Sequence, residues 1–480
     1  MTSPPTSVTL VSECLIKPLH DLSPDEAKHE PLYFTPFELT GLNFRYSQQG
    51  LLFTKPKNNN KDDFSITVFL NELKHSLSAT LTHFYPLAAR LATRILDNPP
   101  SYVIYLDPEN SPGVKFVYAK TDATISDIIN PTYVPSIVHS FFDLNNAINH
   151  DGHTLPLLSI KVTELTDGIF IGGSINHLIA DGTSFWHFMS SWSEIFFKSK
   201  LNHPHQNSNC DIIMISRPPI FKRQPLQAGS SDLFINLPYT HRDQFIQPSA
   251  QNSQMLVVKE RFFKFSSASV ARLKKKANDE LSNNNNTTQK EMIISSLQAV
   301  SAVLWRCITK VRRLANDSET VCVLVVNNRP RMNPPLSDDY FGSPLHGVSG
   351  TATVEELMAN GLGWAALKLH ETIANYDDVA VKNWVESWVR NPVVYERSDK
   401  LSPFSNLVLI SNSPRFDMYG CEFGLGKAIA ARSGAVTKLD GAMTMYPGRE
   451  GGGSIDVQVC LIPETMKDLE CDEEFISSFS

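Results

Sequence analysis

The chain has 480 residues, 42% of them hydrophobic and 10% aromatic, which is the composition of a packed globular protein too long for one ordinary core. Its formal net charge of −7 gives no reason to expect nucleic acid or an anionic membrane as a partner. Seven scattered cysteines without a C-x-x-C pair argue against a disulfide framework or a zinc site and indicate a reducing compartment.

The first residues contain no basic segment followed by an apolar one, so they do not resemble a secretory signal. No apolar run is long enough to span a bilayer. We therefore expect a cytoplasmic protein without a membrane span.

The first part of the chain alternates strand and helix patterns. Strands are predicted at residues 8–16 and 50–53, and leucines at helical spacing predict a helix over residues 69–90 that Pro86 ends. Two further strands are predicted at 101–106 and 114–119. The HDGH stretch at 150–153 resembles half a metal site, but further ligands are lacking, so we interpret it as a surface loop and expect no metal.

The stretch from 155 to 197 contains the first candidate for chemistry. Two apolar strands at 155–164 and 169–176 flank a hairpin turn, and aromatic residues at helical spacing follow. His177 and Asp181 fall on the turn between the second strand and this helix, where Gly182 is expected to let the backbone turn sharply. A histidine with a pKa near neutrality is suited to general-base chemistry. Equally, Asp181 or Thr183 could cap the helix and His177 could be a structural core histidine, so both interpretations stay open.

After residue 198 the composition changes to Pro, Asn, His and Gln without periodicity, which predicts a crossover between two halves. We therefore divide the chain into a domain of residues 1–200, a linker of 201–238 and a domain of 239–480. The Asn-rich loop at 282–289 is expected to be mobile. The second domain has predicted strands at 260–265, 320–326 and 405–411, helices at 267–278, 290–313, 354–374 and 379–390, a Gly-rich loop at 420–427, and a final hairpin of 438–446 with 454–462.

This order of elements favours a mixed α/β or α+β pair of domains without a regular βαβ repeat. The chain contains no G-x-S-x-G, G-x-x-x-x-G-K-[ST], G-x-G-x-x-G or H-E-x-x-H motif. A serine hydrolase elbow, a P-loop, a dinucleotide fingerprint and a zinc protease helix are thereby disfavoured.

Several fragments together resemble one family. They are HFYPLAAR at 83–90, HLIADG at 177–182, SSLQAVSAVLWR at 295–306, VNNRPRMNPPL at 326–336, YFG at 340–342 and CEFGLGKA at 421–428. In this order, and over nearly the whole chain, they look like the plant BAHD acyltransferases. DGTSFWHFMSSWSEI and PGREGGGS further resemble the subgroup with the cuticle-related and defence-related members.

The resemblance implies a fold of two similar chloramphenicol-acetyltransferase-like domains with a solvent tunnel between them. It implies an acyl-CoA co-substrate, a small-molecule acceptor and no permanently bound cofactor, with His177 as general base on the acceptor hydroxyl or amine. Asp181 would point away from the substrate and pair with Arg329 to support the turn. Ser411 and Ser413 stand where relatives place donors to the reacting carbonyl.

The chain departs from the family at its D-F-G-W-G-K-P loop, where Glu422, Phe423, Gly424, Leu425 and Gly426 begin the sequence EFGLGKA. In relatives this loop is structural and distant from the histidine. The change indicates either drift in a loop that still works or a relaxed affinity for CoA.

The expected activity is O- or N-acyl transfer in plant specialised metabolism by a monomer. Two alternatives remain, namely a CoA-free lyase acting on a chorismate-derived amino-acid conjugate in the same tunnel, and a non-catalytic binding protein with this fold. The acyl donor and acceptor are not identified by the residues, although Ser343-Pro344 after YFG slightly disfavours malonyl-CoA.

Overall fold

The structure, a computed structural model, describes residues 7–19, 30–56, 64–201, 212–223, 234–247, 257–283, 293–396, 406–412, 415–435 and 438–479. The Asn-rich loop from residue 284 onward, and Ser413, lie outside these ranges.

Within the described ranges, fifteen strands form three sheets. In chain order they are β1 (Thr9–Ile16), β2 (Leu32–Tyr33), β3 (Ser47–Thr54), β4 (Arg90–Asp97), β5 (Pro100–Asp107), β6 (Val114–Lys120), β7 (Leu158–Glu164), β8 (Gly168–Ile175), β9 (Lys259–Phe265), β10 (Glu319–Asn327), β11 (Leu345–Thr353), β12 (Leu407–Asn412), β13 (Ala430–Ser433), β14 (Ala442–Pro447) and β15 (Ile455–Leu461).

The α-helices cover these sheets and connect their strands. In chain order they are α1 (Pro36–Leu39), α2 (Ile66–His83), α3 (Ile125–Ile129), α4 (Gly182–Leu201), α5 (Ser267–Ser282), α6 (Ser296–Val311), α7 (Val354–Ala359), α8 (Leu362–Ala374), α9 (Asp378–Arg390), α10 (Pro463–Glu470) and α11 (Glu473–Phe479).

Two six-stranded mixed sheets organise the molecule. The first has the order β1-β6-β7-β8-β3-β13, and the second has the order β11-β10-β12-β14-β15-β9. Apolar residues of α2 and α4 belong to the core cluster of the first sheet, and those of α5, α6 and α8 belong to the core cluster of the second. The expected mixed α/β class is confirmed by these sheets and helices.

Strand β13 comes late in the chain but pairs with β3 in the first sheet. A boundary at the predicted linker therefore does not separate the two sheets cleanly. Such an exchange is invisible to local patterns, because the four residues of β13 carry no alternation that identifies a partner.

Several element boundaries differ from the predictions. Helix α2 ends at His83, and Pro86 lies in a 3-10 turn that follows it, because a proline cannot donate the next helical hydrogen bond. The helix predicted over residues 354–374 is two helices, α7 and α8, because Asn360 and Gly361 between them are extended. Strand β11 was not predicted, since its glycines weaken the strand pattern even though its residues alternate between exposed and buried.

The described cysteines are all free, and four of them are buried. Among the described residues, no helix is both long enough and apolar enough to cross a bilayer.

Candidate functional site

His177 lies where the first sheet meets helix α4. Strand β8 is buried at every residue and ends at Ile175, and α4 begins at Gly182. The backbone N–H of His177 donates to Oδ1 of Asn149 at 2.7 Å, and Asn149 is fully buried. The turn is therefore held rigidly while the half-buried His177 keeps part of its surface accessible.

The His177 ring has one nitrogen occupied and one available. Nδ1 lies 3.1 Å from Oγ of Ser343. The carbonyl of His177 also contacts the ring, and a residue's own carbonyl can reach only Nδ1. Because a carbonyl only accepts, this contact favours a proton on Nδ1 and a lone pair on Nε2. Within the described ranges, Nε2 has no hydrogen-bond partner.

Burial lowers the pKa of His177 below its ordinary value, against smaller opposing effects of its own carbonyl and the Asp181 carboxylate. A neutral imidazole is the form that can accept a proton. At neutral pH the ring is therefore in the state that base catalysis needs.

Asp181 and Arg329 form a buried ion pair that joins the segment after β8 to the segment after β10. Nη1 of Arg329 donates to Oδ2 of Asp181 at 2.5 Å, and Nη2 donates to Oδ1 at 3.1 Å. Both side chains are essentially inaccessible, with exposed fractions of 1% for Asp181 and 0% for Arg329. Oδ1 of Asp181 also accepts from the N–H of Ser184 at 2.9 Å, so Asp181 caps α4 as well. The helix-cap interpretation and the ion-pair interpretation are therefore compatible.

Gly182 does not have the conformation that was expected of it. It is the first residue of α4, and it is not among the residues with positive φ. The turn therefore does not depend on the conformational freedom of a glycine at this position.

The segment from Tyr340 to Ser343 lies between the ion pair and the histidine. The guanidinium of Arg329 donates to the carbonyls of Tyr340 and Gly342, at 2.9 and 3.2 Å from Nη2. The N–H of Asp181 also donates to the carbonyl of Gly342 at 3.1 Å. This arrangement brings the Ser343 hydroxyl to the imidazole, although 166 positions separate Ser343 from His177 in the sequence.

Two residues at this site were missed by the sequence analysis. Ser343 follows the YFG motif but carries no pattern of its own. Asn149 precedes the HDGH stretch, which is a partly buried 3-10 helix and not a surface loop. The rings of His150 and His153 lie against each other there, tilted by 32° with their centroids 4.4 Å apart. No group of three or more metal-ligating side chains occurs in the part of the chain that the structure describes.

Ser411 lies in β12, opposite Thr444 of the parallel strand β14. It is partly accessible, whereas its neighbour Ile410 is fully buried in the core of the second sheet. No hydrogen bond joins Ser411 to His177 among the described residues.

The Gly-rich loop lies against helix α4. Phe423 is fully buried, with its ring centroid 4.7 Å from Trp192 and 6.1 Å from Phe196. These contacts lie roughly 15–20 Å along the helix from its first residue, at 1.5 Å per residue. Phe423, Gly424 and Gly426 all have positive φ, and this conformation is strained for Phe423.

Replacing Phe423 with leucine is expected to lower the free energy of unfolding by about 1–3 kcal/mol, because two aromatic edge contacts worth about 0.5–1.5 kcal/mol each are lost. Urea denaturation measures this change. The activity per folded molecule should stay at the wild-type level, since the loop contacts the far part of α4. A large fall in kcat at full folding would contradict a purely structural loop.

Burial lowers the pKa of several histidines, to about 3 for His150 and to about 4 for His346. It also lowers the pKa of His153, His177 and His187. The unfolded chain takes up protons on these imidazoles near pH 6.5, while the folded chain does so only at lower pH. The contribution to stability is therefore complete above about pH 6.5 and falls as the pH drops below that value.

We expect the free energy of unfolding to fall steadily from pH 7 towards pH 4 in urea titrations. His346 stacks on Tyr376 and contacts Trp384. Phenylalanine can keep these ring contacts, and it has no group that takes up a proton. The His346→Phe variant should lose stability less steeply over this pH range. If the free energy of unfolding fell equally steeply with pH in the two proteins, the lowered pKa of His346 could not be a cause of the wild-type fall.

Comparisons with known proteins match the sequence of this chain to one family. The sequence profile described as the Transferase family matches residues 8–476. An uncharacterized acetyltransferase of Arabidopsis thaliana is 33% identical, with 98% of each chain covered. BAHD acyltransferase DCR, also of Arabidopsis thaliana, is 29% identical, with 98% of this chain and 93% of the relative covered.

Solved structures share the fold. Vinorine synthase superposes with a TM-score of 0.66 at 22% identity, covering 99% of both chains. The TRI101 protein of F. sporotrichioides, solved with coenzyme A and T-2, superposes with a TM-score of 0.67 at 18% identity, covering 93% of this chain and 98% of its own.

Proposed function

The chain belongs to the Transferase family of BAHD acyltransferases, and from this premise we propose that it transfers an acyl group from acyl-CoA to a hydroxyl or amine, with His177 as the general base. The observation that carries the proposal is the His177 ring, which is held at its backbone and at Nδ1 while Nε2 has no partner among the described residues. The TRI101 complex with coenzyme A supports CoA as the acyl carrier.

The reaction follows from the position of this nitrogen. Nε2 takes the proton of the acceptor as its oxygen or nitrogen attacks the thioester carbonyl, and a tetrahedral oxyanion forms. The carbon–sulfur bond then breaks, and the CoA sulfur leaves as the thiolate or with the proton carried by the imidazolium. General-base help contributes about 10²–10⁴ in rate, and no covalent acyl-enzyme is needed.

Asp181 and Arg329 would act by support, since both are directed away from solvent and their hydrogen bonds are used within the protein. A donor to the oxyanion would add about 10²–10³ in rate. We propose Ser411 for this role, because its strand presents it on the more accessible side of the second sheet. Ser413 was predicted with it and lies outside the described residues.

We further propose a monomeric cytoplasmic enzyme of plant specialised metabolism, with a tunnel that admits donor and acceptor to His177 from opposite faces. The buried free cysteines and the Arabidopsis relatives support this setting. The division into residues 1–200, 201–238 and 239–480 stays part of the proposal, with β13 as the one strand of the second domain that pairs into the first sheet.

The test is a screen of acyl-CoA donors against mixtures of phenolic, aliphatic and amine acceptors. A thiol-reactive dye reports released CoA, and mass spectrometry identifies the acylated product. Release that requires both donor and acceptor supports acyl transfer. Turnover of a chorismate-derived amino-acid conjugate without CoA would identify the lyase, and tight ligand binding without turnover would identify a binding protein.

A further inference from the structure

A second buried ion pair lies behind the site. Nη2 of Arg223 donates to Oε1 of Glu38 at 2.9 Å, and the exposed fractions of the two side chains are 9% and 0%. Glu38 belongs to α1 in the first part of the chain, while Arg223 belongs to the crossover. Neither residue was singled out by any sequence pattern.

The carboxylate of Glu38 contacts the backbone of Ser343, the residue whose hydroxyl lies against the His177 ring. The N–H of Ser343 donates to Oε1 of Glu38 at 3.2 Å, and the hydroxyl of the same serine lies 3.1 Å from Nδ1 of His177. Oε2 of Glu38 is occupied by the N–H of Thr35 at 2.8 Å. Both carboxylate oxygens are thus held, and one of them fixes the backbone of Ser343.

Arg223 holds the same segment through a second contact. Its Nη1 donates to the carbonyl of Phe341 at 2.7 Å, and its guanidinium lies over the Tyr340 ring, 4.8 Å from the centroid. Arg329 holds Tyr340 and Gly342 from the other side. The segment from 340 to 343 is therefore held between two buried arginine–carboxylate pairs.

The crossover is itself fixed on helix α4, so Arg223 does not depend on a free loop for its position. Nε2 of His187 contacts the carbonyl of Arg217 at 2.7 Å, and the Ser216 hydroxyl donates to Glu194 at 2.6 Å. Ile220 continues this attachment as a bridge to Tyr340. Residues 212–223 thus connect the helix that begins at the HxxxD turn with the segment that contacts the histidine.

We propose that Glu38 and Arg223 are positioning residues for acyl transfer. They keep the Ser343 hydroxyl oxygen where it accepts from the Nδ1–H of His177, the tautomer that the His177 carbonyl also favours, and so keep Nε2 as the proton acceptor. The inference rests on the proposed function of His177. An ion pair that only stabilised the fold would have no specific link to the histidine. Here the link is one shared residue, Ser343, whose N–H contacts Glu38 and whose hydroxyl contacts His177.

The test compares Glu38→Gln, Ser343→Ala and the double variant in the intact protein. With the donor and acceptor found in the screen, each single change is expected to lower kcat by up to about 100-fold, with little change in KM for acyl-CoA. The kcat of the double variant should be no lower than that of the less active single variant, because both changes break the same chain of contacts. Fully additive losses would overturn the proposal.

NMR of ¹⁵N-histidine-labelled protein gives a readout that needs no substrate. Glu38→Gln should shift the ring nitrogens of His177 in the same direction as Ser343→Ala, because the tautomer balance changes in both. Unchanged ring shifts in folded Glu38→Gln protein would also overturn the proposal. If the single change prevents folding, Glu38→Gln with Arg223→Met removes both buried charges and takes its place.

Asp440→Asn is the matched control. Arg312 and Asp440 form another buried pair at 2.7 Å, which contacts β12 and not the 340–343 segment. This variant should lose stability but show no coupling to Ser343→Ala and no change in the His177 ring shifts. The two proposals can fail separately. A fully active His177→Ala protein would overturn the proposed function. An inactive His177→Ala protein together with additive losses of kcat in the Glu38→Gln and Ser343→Ala variants would overturn only the positioning role.

Discussion

Replacing His177 with alanine is expected to lower kcat for acyl transfer by about 10²–10⁴, the usual contribution of a general base. The loss should appear in kcat and in kcat/KM alike, because the proton is taken only as the acceptor attacks. CoA release and product formation, measured with the donor and acceptor found in the screen, give both constants. The fold should persist, since His177 is half-buried and its backbone contact with Asn149 does not need the ring.

The matched control is His75→Ala, since His75 is an exposed histidine on α2. It should keep wild-type kcat and stability. The wild-type enzyme should also lose activity at acid pH with a midpoint below 6.5, because burial lowers the pKa of His177 and protonation removes the base. If His177→Ala retained activity within a few-fold of wild type while remaining folded, His177 could not be the base.

The HxxxD turn was located correctly from local patterns, because those patterns have local causes. Strand β8 is buried on both faces and therefore reads as a continuous apolar run, and α4 has the wide apolar stripe of a helix packed on a sheet. The residues between them had to form the connection. Periodicity could not decide whether Asp181 capped the helix or paired with a cation, and the structure shows both contacts.

Contacts across long separations could not be derived in this way. Arg329 lies 148 positions from Asp181, and their pairing was expected only from the family resemblance. Ser343 and Glu38 are 305 positions apart, and neither has a pattern that predicts a partner. Polar residues in connections are placed by the packing of the elements around them, so the tertiary structure is needed to find them.

Replacing Asp181 with asparagine is expected to lower the free energy of unfolding by about 3–5 kcal/mol, because the guanidinium of Arg329 is left charged in a fully buried site. Asparagine can still cap α4, so the loss should come mainly from the unpaired charge. Urea denaturation at neutral pH measures it. Activity should also fall, since Arg329 holds the carbonyls of Tyr340 and Gly342 beside the histidine.

A fall in activity alone would not show whether Asp181 takes part in chemistry, and the pH dependence of the residual activity does. The Asp181 carboxylate raises the pKa of His177, against the larger lowering effect of burial. Its removal should therefore move the acid midpoint of kcat/KM to lower pH. The fall of kcat/KM at acid pH, the acid limb of the profile, should still be present when it is measured at a temperature where the variant is folded. Combining Asp181→Asn with Arg329→Met should restore much of the stability, because the buried charge is gone, without restoring wild-type kcat. Loss of the acid limb itself would instead mean that Asp181 exchanges protons during the reaction.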